Sequence, residues 1–283
     1  MSNVKEVLMK ILFLLCACIS ILAVAVICIF IFANGVPAIG KIGFTDFIFG
    51  THWRPNSGEF GIFPMIVASI YVTAGAIVIG VPICILTAVF LACYCPKKIY
   101  KVIKPLITLL ASIPSVVYGF FCLVVVVPII QELTHTSGKA ILTASILLGI
   151  MILPTIINTT ESSIRGVPNM YFEVSLSLGA TKERSIFKTV IPAAKSGIMS
   201  GIILSIGRAI GETMAVVMVA GNQAIMPKSI TSGVRTLTSN IVMEMAYATG
   251  LHREALIATA VVLFVFILII NICFSIVIRK KDK

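Results

Sequence analysis

Charge is what this chain has least of. Asp, Glu, Lys and Arg make up 12% of its 283 residues, against 59% hydrophobic ones. Soluble domains carry about a quarter charged residues, so a free-standing globular protein is excluded. Acids are scarcer than bases, 11 against 22, which leaves a net charge of +11. In a soluble chain that excess would suggest nucleic acid. In one this apolar, with a mean hydropathy of +1.10, it marks the cytoplasmic side of a membrane protein.

Metal ligands and cross-links are also thin. Eight cysteines lie in apolar runs or at their edges, with no C-x₂-C pair and no disulfide framework in the outer loops, so they read as small packing residues. The three histidines, His52, His135 and His252, fall one per outer loop, as scattered solvated residues. No metal or cofactor is expected. The single tryptophan, Trp53, lies in the first outer loop and suits an interface anchor. A nucleotide site is missing too. "GVPAIGKI", residues 35–42, has the spacing of a phosphate-binding loop but ends in Ile42, where a hydroxyl should hold magnesium. The chain is therefore not expected to be an enzyme, and any ATP it depends on must be hydrolysed by a partner.

What the chain has is long apolar runs, at residues 8–33, 62–92, 102–130, 140–157, 197–221 and 255–278. A span needs about 20 residues, so the second run, although it holds Pro64, Gly75, Gly80 and Pro82, is one kinked helix rather than two short ones. The run after Lys5 and Lys10 exceeds the roughly 7–15 residues of a signal-peptide core and reads as a retained first helix. Six helices with both termini inside put most bases on the cytoplasmic side, among them Lys97, Lys98, Lys101, Lys104, Arg165, Lys182, Arg184 and Lys188. The fold class is all-α, a polytopic protein of the plasma membrane. Residues 1–60 form the first helix and outer loop, and 61–283 the transmembrane core.

The longest inner segment, 158–196, reads as two short helices around a turn. Pro168 suits a first helical turn, Gly179 a helix stop, and Thr181 a cap with Glu183 near the positive helix end. Within it, "EVSLSLGATKERSIFKTVIP" (173–192) resembles the EAA loop of ABC importer permeases. Glu173, Gly179, Ile191 and Pro192 match that pattern, while Val174 and Thr189 depart from it mildly. With "ASIPSVVYG" (111–119), "LPTIINTTESSIRGVP" (153–168), "GRAIGETMAVVMVAGN" (207–222) and "RTLTSNIVMEMAYATGLHREAL" (235–256), the chain from about residue 60 onward is similar to phosphate-specific ABC permeases, and more to their C-type than their A-type subunits.

That resemblance implies a MetI-like permease with a cytoplasmic coupling loop in which Glu173, Gly179, Ala180 and Pro192 serve an ATPase. It also implies an A-type permease subunit as heterodimer partner, a cytoplasmic ATPase dimer, an extracytoplasmic phosphate-binding protein, and inorganic phosphate as cargo. Molybdate or sulfate is the alternative cargo. A secondary transporter or channel would not need the loop.

"GRAIGETMAV" (207–216) poses the sharpest question. An arginine at the bilayer centre costs roughly 2.5–3.5 kcal/mol even on lenient scales. On one continuous helix Arg208 and Glu212 would share a face, with Gly197, Gly201, Ser205, Ala209 and Thr213 along one side and Gly207, Gly211 and Ala215 along the other. Either the two charges form a buried ion pair that fixes packing, or Arg208 meets a transported anion and Glu212 tunes its hold. Arg208, Glu212 and Thr213 are the expected pathway residues.

Overall fold

An apolar segment crosses a bilayer as a helix because its backbone N–H and C=O groups must be satisfied within the segment. The computed structural model, which describes residues 2–281, is built almost wholly on that principle. α1 (Ser2–Ile42) and α2 (Phe44–Phe49) lead into a two-stranded antiparallel hairpin, β1 (Trp53–Arg54) and β2 (Glu59–Phe60). In it Trp53 pairs with Phe60 and Arg54 with Glu59. α3 (Phe63–Val89) is prolonged by a π-helical turn, Phe90–Tyr94, so the second apolar run is indeed one long helix. α4 (Lys97–Ser112) follows, and then α5 (Ser115–Phe121), a π-helical turn (Cys122–Val126) and α6 (Val127–Thr134) stack into one span.

α7 (Ile141–Arg165) ends in the loop that holds α8 (Asn169–Ser177), α9 (Lys182–Ser185), a π-helical turn (Ile186–Val190) and α10 (Ile191–Ala193). α11 (Lys195–Gly211), α12 (Met214–Val219), α13 (Leu237–Glu244) and α14 (Gly250–Lys281) complete the chain. Among the described residues five helices are long and apolar enough to cross a membrane, or six where Lys182–Ala193 and Lys195–Gly211, bent by 66° at their junction, count as one span.

Two of the expected continuous spans are broken. The run 102–130 divides at Ile113–Pro114, because proline drives the residue before it into extended conformation, and Ile113 sits at φ −69°, ψ 127°. The apolar span is Ser115–Thr134, and α4 is a separate helix. The run 197–221 divides at Glu212 (φ −68°, ψ 132°) and Thr213 (φ −122°, ψ −66°). The freed backbone is satisfied locally. The Thr238 hydroxyl donates to the Glu212 carbonyl at 3.0 Å, and the Glu212 carboxylate accepts from the Ala215 N–H at 3.3 Å.

Small residues set the helix crossings. α3 meets α7 where Gly80 leaves room for Ile152 and the carbonyl of Gly149, at 3.0 and 3.1 Å from where a Cβ would lie, and the Ser145 hydroxyl donates to the Val72 carbonyl. α1 crosses α14 at Gly35, where a Cβ would lie 3.2 Å from the Ala258 Cα, with Phe32 edge-on to Phe264 nearby. Ala38, Phe47, Trp53, Phe60, Ile62, Met65, Leu237 and Leu256 form a second core that seats the hairpin on α13 and α14.

Candidate functional site

α11 shows its two sides clearly. Gly197 and Gly201 lie flush against Ser163 and Thr159 of α7, where a Cβ on either glycine would collide, and Ser205 and Ala209 continue the same buried stripe. On the other side, among the described residues, a Cβ on Gly211 would meet nothing within 4 Å and one on Gly207 only Asn271 at 3.9 Å. That open side carries Arg208. It borders a cleft of about 720 Å³ lined by Ser196, Ser200, Leu204, Gly207, Arg208 and Asn271.

Arg208 and Glu212 do not stack, because the helix ends between them. Arg208 is exposed and among the described residues hydrogen-bonds only the Thr155 hydroxyl, 3.4 Å from its Nη1, while Glu212 turns to the first turn of α12. Among the described residues Arg208 has no carboxylate partner, so no Arg208–Glu212 ion pair forms within this chain; a pair across the subunit interface is the other form of that alternative. Thr213 lies in the break, its hydroxyl donating to the Gly211 carbonyl.

The loop between α7 and α11 matches its local chemistry. α8 closes with a Schellman motif in which Gly179 N–H donates to Leu176 O (2.9 Å) and Ala180 N–H to Ser175 O (3.2 Å). Gly179 has φ +84°. Thr181 caps α9 by accepting from the Arg184 N–H, with Glu183 in the first turn, while Pro168 is the cap of α8 rather than its first turn. No residue of α8 is buried; Met170, Tyr171, Val174 and Leu178 are exposed and border a cleft of about 330 Å³. Glu173, Gly179 and Pro192 are exposed, and Ala180 is half-buried.

Two buried glutamates escaped the sequence reading. Glu161 of α7 accepts from Lys104 Nζ (2.6 Å), Arg165 Nε (2.8 Å) and the Tyr100 hydroxyl (2.8 Å), pinning α4 to α7. The hydrogen bond onto Glu161, with burial second, pushes the Tyr100 phenol up from its ordinary value. Glu244 of α13 accepts from Arg235 Nη1 and from Trp53 Nε1 (2.8 Å), and His252 Nε2 lies 2.8 Å away. Trp53 is thus a buried hydrogen-bond donor, not an interface anchor. Among the described residues no three His, Cys, Asp or Glu side chains come together as metal ligands. The only signals in the sequence were the i,i+4 spacing of Glu161 and Arg165 and an acid, Glu244, in an otherwise acid-free stretch of α13.

A family model described as the binding-protein-dependent transport system inner membrane component matches residues 80–283. The chain belongs to that family. Among curated relatives, the probable ABC transporter permease protein YqgH of Bacillus subtilis is 35% identical over 267 residues, covering 90% of this chain and 86% of the relative. The phosphate transport system permease protein PstC of Mesorhizobium japonicum is 32% identical over 265 residues, 86% of this chain and 81% of that one. Solved importers share the fold. The inward-facing MetNI methionine ABC transporter aligns with a TM-score of 0.56 at 20% identity, over 78% of this chain and 94% of that one. A bacterial ABC transporter that imports the polysaccharide alginate aligns at 0.57 and 15% identity, over 94% and 96%. The chain is therefore a multi-pass membrane permease of the ABC importer type, with the all-α fold expected of it.

Proposed function

We propose that this permease is the C-type membrane subunit of a binding-protein-dependent ABC importer that carries inorganic phosphate into the cytoplasm. The relatives named as phosphate permeases support the cargo, and the observation that carries the reading is Arg208. A guanidinium that borders a cleft, without a carboxylate partner among the described residues, suits a tetrahedral oxyanion, because its planar fork matches two oxygens at once. The neutral Ser196, Ser200 and Asn271 in the same cleft allow an anion to leave again, since a pathway that binds too strongly becomes a trap. Glu212 and Thr213 form the helix break that follows Arg208 and complete the proposed pathway residues.

Both termini and the 158–196 loop lie on the cytoplasmic side in this reading, and the Glu244 knot lies outside. The uncovered apolar side of α8, with Glu173, Gly179, Ala180 and Pro192, docks on an ATPase dimer, which hydrolyses the ATP. The open side of α11 faces an A-type permease subunit across the pathway, and an extracytoplasmic phosphate-binding protein delivers the cargo. A Ser177→Cys variant that reacts with an impermeant thiol reagent from outside intact cells would overturn this orientation.

The deciding experiment is ATP-driven phosphate uptake by the reconstituted complex, with sulfate and molybdate as competitors. Arg208→Gln is expected to assemble and lose most uptake, and Arg208→Lys to fall between it and the unaltered protein. Near-normal uptake by the double variant Arg208→Gln/Glu212→Gln would sink the role of Arg208. Gly179→Val is expected to uncouple ATP hydrolysis from the loaded binding protein, because a β-branched residue resists positive φ.

A further inference from the structure

A second cationic pocket lies away from Arg208, where the bundle meets the 158–196 loop. It is a cavity of about 410 Å³ whose polar lining is Cys93, Arg165, Asn169 and Lys182, over apolar Phe172 and Ile186. Its walls come from the π-helical end of α3, the last turn of α7, and both helices of the loop. Arg165 spends Nε on Glu161 and Nη2 on the Leu91 carbonyl, so its Nη1 has no protein acceptor among the described residues. Lys182 Nζ stands 4.7 Å over the Tyr94 ring and forms no ion pair among the described residues. Glu161, the acid beside Arg165, is already satisfied by three donors. Glu183 sits in the first turn of α9, next to Lys182, and does not line the cavity.

We propose that this pocket binds a phosphate group, held between the spare Arg165 Nη1 and the Lys182 ammonium with the Asn169 amide as a neutral donor. The volume is in the range of small-ligand sites, and two cations with spare donors match a phosphate's several acceptor oxygens. The group comes either from free inorganic phosphate or from the headgroup of an anionic lipid. Bound there, it ties Lys182 of the loop to Arg165 of the bundle, so its occupancy controls how rigidly the loop follows α7. This site is independent of the cargo reading built on Arg208.

Cys93 supplies the probe, since it lines the pocket. The full chain, with its other seven cysteines replaced, is reconstituted in nanodiscs of phosphatidylcholine, and alkylation of Cys93 by a maleimide is timed at fixed ionic strength. Inorganic phosphate at ten times its Kd is expected to slow alkylation about tenfold, because only the unoccupied fraction reacts. Chloride should have no effect. Lys182→Gln should abolish protection and Lys182→Arg should keep it. If protection instead appears without added phosphate when phosphatidylglycerol replaces part of the phosphatidylcholine, and is again lost in Lys182→Gln, the headgroup is the ligand. Arg208→Gln should leave protection intact, which separates this site from the transport pathway. Absence of protection in both arms, or equal protection in Lys182→Gln, overturns the proposal.

Discussion

Each end of the bundle buries one glutamate among hydrogen-bonding partners that include a basic side chain, yet the two differ in what those partners could do if left alone. At the loop end the Glu161 side chain is 2% exposed, but its partners Lys104 and Arg165 keep 30% and 47% of theirs in solvent. At the other end Glu244 is 8% exposed, and its partners Arg235 and His252 only 16% and 17%. A stranded charge is costly in proportion to how poorly water can reach it. The acids look alike; the exposure of their partners decides what each pair is worth. The partners also differ in reach along the chain. Glu161 takes Arg165 from its own helix, while Glu244 gathers Trp53 from 191 residues away.

The largest effect should follow from Glu244→Ala, which leaves Arg235 buried without a counter-charge and releases Trp53. A loss of about 3–5 kcal/mol is expected, the range for removing one partner of a buried pair. Loss of folded protein in detergent, with new proteolytic cutting at residues 55–58 of the hairpin, would register it. Glu161→Ala should cost less, about 1–3 kcal/mol, because Lys104 and Arg165 can turn to water. A denaturant titration that found the two variants equally damaged would break the comparison.

Single donors sharpen it further. Trp53→Phe keeps most of the packing against Phe60 and removes one hydrogen bond to Glu244, for about 1–2 kcal/mol. Tyr100→Phe removes the matching donor from Glu161, where two cations remain, and should cost less than about 1 kcal/mol. The order of those two melting shifts, tryptophan above tyrosine, is the smallest effect that still tests the contrast.

Much of this was legible in the sequence wherever the deciding physics is local. Apolar runs of spanning length gave four of the six expected crossings unbroken, and Gly179 and Thr181 gave the turn between α8 and α9, because positive φ and N-capping are properties of a few consecutive residues. The small-residue stripes of α11 were visible, but not that Gly197 and Gly201 would close on α7 while Gly207 and Gly211 stayed open. The helix break at Glu212 was hidden, since its support comes partly from Thr238, 26 residues on. An i,i+4 pairing of Arg208 with Glu212 assumes a helix that continues, and this one stops. Both buried glutamates were hidden for the same reason: their partners on α4, the hairpin and α14 meet them only in three dimensions.

The two broken spans have a joint mechanical consequence. Gly119 of α5 lies so close to α12 that a Cβ there would sit 2.9 Å from both the Ala215 Cα and the Met218 sulfur. A helix break lies just before each of the two facing segments, at Ile113–Pro114 before α5 and at Glu212–Thr213 before α12. At Gly119 backbone faces backbone, so α12 cannot move toward α5 without a collision. A bend at Glu212, next to Arg208, would therefore press on the span that begins at Ser115.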